Sequence, residues 1–336
     1  MRVTHQMLSR NYIKRMNTNL NNLTHSNEKL SSQRKFNKGY ENVSDAGKAL
    51  RLRKLTVDNT RYQTTIRDVK GRAEAAEDNI RTVNSLMIRT EELVVQGLNG
   101  TMSESDRDKI AIELEKMQEE VLQVMNNTYN GNHIFAAAGS DAPGKAPFAV
   151  VGGQLTYNGT PVDEMAKVNG VITHGGNEIQ FNTPNYVDIG FGYKDKNGYV
   201  DPDTAFKDTY SGVECFGYGK NEDDIPINAW SLLGDMVNSL RGGNLDRLGQ
   251  DLDAISGSME FMLTSITEIG ARTVTLDNTA ARLENEYENL ADALKNVESI
   301  DVAEEIIYNK DYEMSWLITL QLGSKILPQT IFDFIR

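Results

Sequence analysis

The sequence predicts a mainly α protein with a β-rich insert, in which the N- and C-terminal helices form an elongated antiparallel coiled-coil rod. Three observations carry this. Apolar residues recur at alternating spacings of three and four in three long stretches, the pattern of helices packed along a seam. Fourteen of the 27 glycines and six of the seven prolines fall within residues 139–229. Both ends carry apolar lines beyond those the rod would use.

The elements follow in chain order. Residues 1–27 are rich in Asn, Thr and Ser, hold Arg2, Arg10, Lys14 and Arg15, and contain no acidic residue before Glu28. Ile13, Met16, Leu20, Leu23 and Leu30 make a first heptad line there. The first rod series is Leu52, Leu55, Asn59, Tyr62, Ile66, Val69, Ala73, Ala76, Ile80, Val83, Met87, Thr90 and Val94. Gly97-Leu98-Asn99-Gly100 then reads as a turn, and Ser103 with Asp106 three residues on reads as an N-cap that restarts the helix. An antiparallel helix pair is expected across it. The second series is Ile110, Leu114, Met117, Val121, Val124 and Thr128.

Asn130-Gly131 is expected to stop that helix at its C-terminus. The apolar run Ile134-Phe135-Ala136-Ala137-Ala138 reads as packing where the rod meets the insert. Within the insert, β-prone pieces such as "FAVVG", "QLTYNG", "GVITH" and "NYVDIGFGY" are split by Asn158-Gly159, Asn169-Gly170 and Asn197-Gly198, each a hairpin signal. A long irregular loop is the other reading, though structureless runs of such length are unusual. Trp230, Leu233, Val237 and Leu240 resume helical spacing.

The third series is the longest: Leu248, Leu252, Ile255, Met259, Met262, Ile266, Ile269, Thr273, Leu276, Ala280, Leu283, Tyr287, Leu290, Leu294 and Val297. At about 1.5 Å per residue the first and third series would be rods of roughly 65 and 75 Å. Asn59, Thr90 and Thr273 sit at seam positions, where polar residues set register in a coil. The expected rod core is Leu55, Ile66, Val69, Ile80, Val83, Leu114, Met117, Val121, Ile266, Ile269, Leu276, Leu283 and Leu290.

Composition narrows the class. Hydrophobic residues at 39% and charged residues at 25% suit a folded chain. A net charge of −13 argues against nucleic-acid binding, which needs clustered Lys and Arg. No apolar run approaches the roughly 20 residues that span a bilayer, so no membrane insertion is expected. One cysteine, Cys215, excludes an intrachain disulfide. The N-terminus has no apolar signal-peptide core; its composition reads as a frayed end or as an unfolded address for a non-classical export route.

No catalytic constellation is expected, nor a metal or cofactor. His5, His25, His133 and His174 are scattered. "GVECFGYGK" has the glycine gap of a phosphate loop between Gly212 and Gly217, but Tyr218 stands where Lys is required. "DKNGYVDPD" at 195–203 misplaces the glycine and glutamate of a calcium loop and reads as a turn. The ends say more. "MSWLITLQLGSKILPQTIFDFI" is almost continuously apolar, and such surface marks an assembly site. Its candidate residues are Met314, Leu317, Leu320, Ile326, Leu327, Ile331 and Phe334, with Ile13, Met16, Leu20, Leu23 and Leu30 at the other end.

Several segments resemble the bacterial flagellin superfamily, whose helical ends flank a variable middle. "EKLSSQRKFNKGYENVSDAGKAL" (28–50) is similar to the family's "LSSG-x-R-I-N-x-A-x-D-D". "RTEELVVQGLNGTMSESDRDKIAIELEKMQEEV" (89–121) resembles its turn between N-terminal rod helices, and "ESIDVAEEI" (298–306) its acidic opening of the C-terminal helix. The resemblance covers residues 1–138 and 245–336. Within the family, "NGNHIFAAAG" (130–139) resembles the "NGRYIFAG" of the branch at the hook–filament junction, where filament subunits have "FNGxxLL". "MRVTHQM" and "KILPQTIFDFIR" resemble that branch's "MRIST" start and "LLDFLR" finish. The chain departs from the family at 42–47, Asn-Val-Ser-Asp-Ala-Gly in place of "N-P-S-D-D-P", and at Ala137, where the family has Gly.

The resemblance implies a non-enzymatic structural protein of the bacterial flagellum, an adaptor ring joining hook to filament and required for motility. Implied partners are further copies of itself, the first hook-associated protein, flagellin and an export chaperone. It implies an extracellular location after export through the flagellar type III apparatus without a cleaved signal. The alternatives are a filament subunit or a secreted coiled-coil adhesin or effector. The expected division is 1–40, an assembly and export segment disordered in the monomer; 41–138, N-terminal rod helices; 139–229, an outer β-rich domain; 230–300, a C-terminal rod helix; and 301–336, a C-terminal assembly helix.

Overall fold

The computed structural model of the chain describes residues 5–136, 145–168, 171–175, 177–178, 185–191 and 205–326. In order, the elements are α1 (His5–Ser32), α2 (Val43–Gly97), α3 (Glu104–Met125), β1 (Thr128–Tyr129), β2 (Asn132–His133), β3 (Phe148–Val151), β4 (Gln154–Tyr157) and β5 (Thr160–Pro161). A 3-10 turn at Val162–Glu164 leads to β6 (Met165–Val168), β7 (Val171–His174), β8 (Asn177–Glu178), β9 (Tyr186–Val187) and β10 (Phe206–Lys207). The chain ends in α4 (Gly212–Phe216), α5 (Ala229–Arg241), α6 (Leu245–Glu298) and α7 (Val302–Ile326). It divides into two compact units, one of residues 1–60 with 285–336 and one of residues 61–284.

In the first unit α1 packs on α7. The turn after α1 is tied to the α6–α7 corner: Lys35 N–H donates to the Glu298 carbonyl at 2.7 Å and Ile300 N–H to the Gln33 carbonyl at 3.3 Å. Arg53 reaches the Glu298 carboxylate at 2.6 Å. Helix α2 opens without a proline. Asn42 Oδ1 accepts from Asp45 N–H at 3.1 Å while Asn42 Nδ2 donates to the Asp45 carboxylate at 2.7 Å, so two side chains fix the first turn. Asp301 does the same for α7, accepting from Ala303 and Glu304 N–H at 2.9 and 3.2 Å.

In the second unit α2 and α6 run antiparallel. Ile66 and Val69 share a small core with Leu276 and Leu283, and Lys70 pairs with Asp277. At the other extreme, Gly97 lies so close to Leu240 that a side chain would not fit. Helix α3 folds back beside α2, with Arg89 3.1 Å from Glu113. Ser103 caps α3 as its sequence predicts: its Oγ accepts from Asp106 N–H at 3.2 Å. Helix α5 lies on α3, where Gln118 Nε2 donates to the Trp230 carbonyl at 2.9 Å and Arg241 meets Glu115. One continuous core joins these helices to Ile134, Phe135, Phe148, Leu155, Val162 and Ile172 and to residues 210–240.

Of the predicted rod core, Ile66, Val69, Ile80, Val83, Leu114, Met117, Val121, Ile269, Leu276 and Leu283 are buried, and Ile266 and Leu290 are half-buried. Leu55 is 42% exposed: the less exposed line there runs through Ala49, Leu52, Thr56 and Asn59, so the predicted series holds at Leu52 and Asn59 and Thr56 takes the place of Leu55.

Three further features differ from the sequence reading. Helix α3 ends earlier, at Met125, capped by Asn126. Asn130 and Gly131, at φ 50° and 81°, instead form the two-residue turn of the β1–β2 hairpin, for which left-handed residues are required. The stretch 230–300 is two helices, broken at Gly242–Gly243, where Gly243 has φ 67°.

The described strands form four small antiparallel sheets of two or three strands. Asn158–Gly159, at φ 49° and 86°, turns β4 into β5. Asn169–Gly170, Asn197–Gly198 and Ala137–Ala138 lie outside the described residues. The apolar tract does pack against the insert. Phe135, fully buried, meets Phe216 edge-on at 4.8 Å, and its carbonyl accepts from the Tyr157 hydroxyl at 2.9 Å.

Candidate assembly surface

The α1–α7 pair is joined through polar side chains. Ser26 Oγ donates to Glu305 Oε1 at 2.8 Å in a buried contact. Asn309 Nδ2 donates to Ser26 Oγ at 3.2 Å and Asn27 Oδ1 at 2.8 Å. Nearer the ends, Asn19 Nδ2 donates to Thr319 Oγ1 at 2.8 Å, and the Tyr12 hydroxyl lies against Gly323. Positions 305, 309, 312, 316, 319 and 323 follow one another at three- and four-residue steps, so they form a single face of α7.

That face carries the half-buried Tyr312 and Trp316 as well, while most aliphatic residues of α7 lie on its other faces. Ile307 and Met314 are each 62% exposed, and Ile318 is 50% exposed; at i, i+7 and i+11 they make one stripe. Ile306, Leu317 and Leu320 make a second exposed stripe beside it. On α1, Met7, Leu8, Ile13 and Leu20 are exposed, while Met16, Leu23 and Leu30 are half-buried. The side chain of Ile326, and Leu327, Ile331 and Phe334 entirely, lie outside the described residues. Heptad counting pointed to apolar positions and so missed Asn19, Ser26, Glu305 and Asn309. The signal that could have found them is a polar residue every three or four positions on both helices.

Among the described residues no three His, Cys, Asp or Glu side chains converge as a metal set, and no helix is long and apolar enough to cross a membrane. Cys215 is buried, and burial pushes its thiol up to about 12, so it stays protonated and unreactive.

Long paired terminal helices with exposed apolar stripes are the main surface feature of the described residues. Residues 3–140 match the bacterial flagellin N-terminal helical region, and the chain is flagellin-like. It is 20% identical to the flagellin of Clostridium tyrobutyricum over 93% of this chain and 96% of that one. It is 29% identical to flagellar hook-associated protein 3 of Salmonella typhimurium over 55% of this chain, a match that spans 61% of the Salmonella protein. A solved Vibrio parahaemolyticus chain, described as a flagellar hook-associated protein, superposes with a TM-score of 0.60 at 15% identity, covering 77% of this chain and 100% of that one.

Proposed function

We propose that the protein is a structural component of the bacterial flagellum, the adaptor layer between hook and filament. One observation carries this: the paired helices α1 and α7 expose apolar stripes that only neighbouring subunits would cover, in a chain with a flagellin-type N-terminal region. The likeness to hook-associated protein 3, together with "NGNHIFAAAG" and the resemblance it bears, favours the junction over the filament. In this reading the subunits form a ring of identical copies between the first hook-associated protein and flagellin. They leave the cell unfolded through the flagellar export apparatus, escorted by a chaperone. The apolar residues named on α1 and α7 are the assembly interface, and the coiled helices transmit load along the axis.

The end-to-end likeness to a flagellin supports a second reading, the filament subunit itself. Deletion separates the two. A strain lacking the junction layer makes hooks, releases flagellin as monomer and does not swim. Attached full-length filaments in that strain would overturn the junction reading. Dominance of this chain in sheared flagella would favour the filament reading. Immunogold labelling confined to the hook–filament boundary is the expected result.

A further inference from the structure

Charge is distributed unevenly along the α1–α7 pair. Contacts of Tyr12 with Gly323, Asn19 with Thr319 and Ser26 with Glu305 set the two helices antiparallel, so the start of α1 lies beside the end of α7. That end holds Arg10, Lys14 and Arg15, all exposed, and no Asp or Glu occurs within residues 5–27 or 314–326. The other end holds Glu28, Glu304, Glu305, Asp311 and Glu313 against Lys29 and Lys310. Both helices belong to one compact unit, so the polarity is a property of a single body.

Some of these charges are already used. Lys29 lies 3.9 Å from Glu305 and Lys310 2.7 Å from Glu313. Arg10, Lys14, Arg15 and Asp311 make no ion pair among the described residues. Two of them interrupt exposed apolar lines. On α7, Ile307, Asp311, Met314 and Ile318 follow at steps of four, three and four; on α1, Arg10, Ile13, Asn17 and Leu20 follow at three, four and three. Every one of these positions is exposed, and the spacing is that of a coiled-coil seam. A charge inside a seam is costly once covered, unless the covering helix brings its opposite. A purely apolar helix laid on the α7 line would strand Asp311, and an acidic one would be repelled. The α1 line of a second copy supplies apolar residues and a base together.

We propose that the α7 line of one subunit receives the α1 line of a neighbouring copy, shifted along the helix axis so that Arg10 of one meets Asp311 of the other. This rests on the reading that subunits assemble through these helices. In a polar assembly all copies point the same way, and unshifted neighbours would set base beside base and acid beside acid. The intrachain contacts put Asp311 level with about residue 24 of α1, so Arg10 comes to it by a shift of about 14 residues, or roughly 21 Å of helix. Lys14 and Arg15 then flank the same acidic end. The charges thus select the stagger, and the apolar residues provide the adhesion.

The test uses a deletion strain complemented with full-length variants, each measured in purified hook–basal bodies relative to the chain exported to the medium. Asp311→Lys should incorporate about tenfold less than the unaltered chain, because like charges then face each other under a covering helix. So should the combination of Arg10→Glu, Lys14→Glu and Arg15→Glu. A chain carrying both sets should recover to within about threefold, a rescue that loss of an apolar contact would not give. Co-expressed chains with Arg10→Cys and Asp311→Cys should form a disulfide-linked dimer in flagella, and Cys215, being buried, stays out of such links. Thr24→Cys with Asp311→Cys, the unshifted register, should not. Full incorporation of Asp311→Lys, no rescue by the combined set, a stronger link at Thr24 or a link to a different protein would overturn the stagger while leaving assembly through these helices standing. Absence of the unaltered chain from flagella would instead sink the assembly reading, and the stagger with it.

Discussion

The hydroxyl of Tyr12 on α1 lies where a β-carbon on residue 323 of α7 would be, so these two helices approach closely only because that residue is glycine. Alanine is intrinsically better in a helix by about 1 kcal/mol, yet here the added methyl would collide with the ring. Gly323→Ala should therefore loosen the α1–α7 pair while raising the helical propensity of α7 alone. Hydrogen exchange of α1 amides in the full chain should speed up. The double variant with Tyr12→Ala should recover much of the protection, a coupling that a mutant cycle measures.

Asp251 predicts a pH dependence. It is fully buried, accepts from Ser239 Oγ at 3.0 Å, and faces Arg247 at 3.2 Å and the charge of Asp235. Burial pushes its carboxyl up to about 6, Ser239 draws it back, Asp235 adds to the rise and Arg247 opposes it. A folded value above the unfolded one means that the folded state holds the proton more tightly. The stabilisation is thus complete below the unfolded value near 4 and is lost as pH rises through about 6. Its ceiling is roughly 3 kcal/mol. The melting midpoint should be higher at pH 5 than at pH 7.5, and Asp251→Asn should flatten that slope. An unchanged slope in the variant would remove Asp251 as its source.

Leu320 offers a separation of folding from assembly. It is 40% exposed, so an Asp there should change the stability of the free chain by less than about 0.5 kcal/mol. If the exposed stripes of α7 are covered by neighbouring subunits, Leu320→Asp should abolish incorporation into flagella. Complementation of a deletion strain, read by swimming and by immunoblot of purified hook–basal bodies, checks both halves.

The terminal helices should be the first part of the free chain to open. Their shared face mixes polar contacts with side chains that are only half-buried, Tyr12, Met16, Leu23, Tyr312 and Trp316 among them, and isolated helices of this length are marginal in water. Limited proteolysis of verified monomer should trim about the first 40 and last 35 residues and spare the 61–284 unit. Intact ends under those conditions would show that they need no partner.

The seam of the long helices was legible because apolar periodicity is a property of burial itself: Ile80, Val83, Ile269 and Leu276 follow directly from spacing. Spacing alone does not resolve a phase error of one position where the stripe is weakly apolar. Leu55 therefore misled, since it is exposed and its neighbour Thr56 is half-buried. Asn130-Gly131 is a stop signal and a hairpin turn in the same two letters; the pairing of Thr128 with His133 decides between them. The α1–α7 seam was hidden for a different reason. Part of its cohesion comes from reciprocal donors and acceptors on two segments nearly 300 residues apart, and a spaced polar row on either helix does not say which partner it meets.

That polar face also bears on reversibility. When an apolar seam separates, water must reorganise around each new surface, and the penalty grows with area. When Ser26, Asn309 and Asn19 separate from Glu305, Asn27 and Thr319, water supplies replacement donors and acceptors at once, so the net difference per bond is about 1 kcal/mol. The two helices are therefore joined by a fastening that wet conditions can undo and redo without lasting damage. If, as proposed, the subunit leaves the cell as an open chain and then takes a fixed place among its copies, a bond of that kind between its two ends would suit both steps.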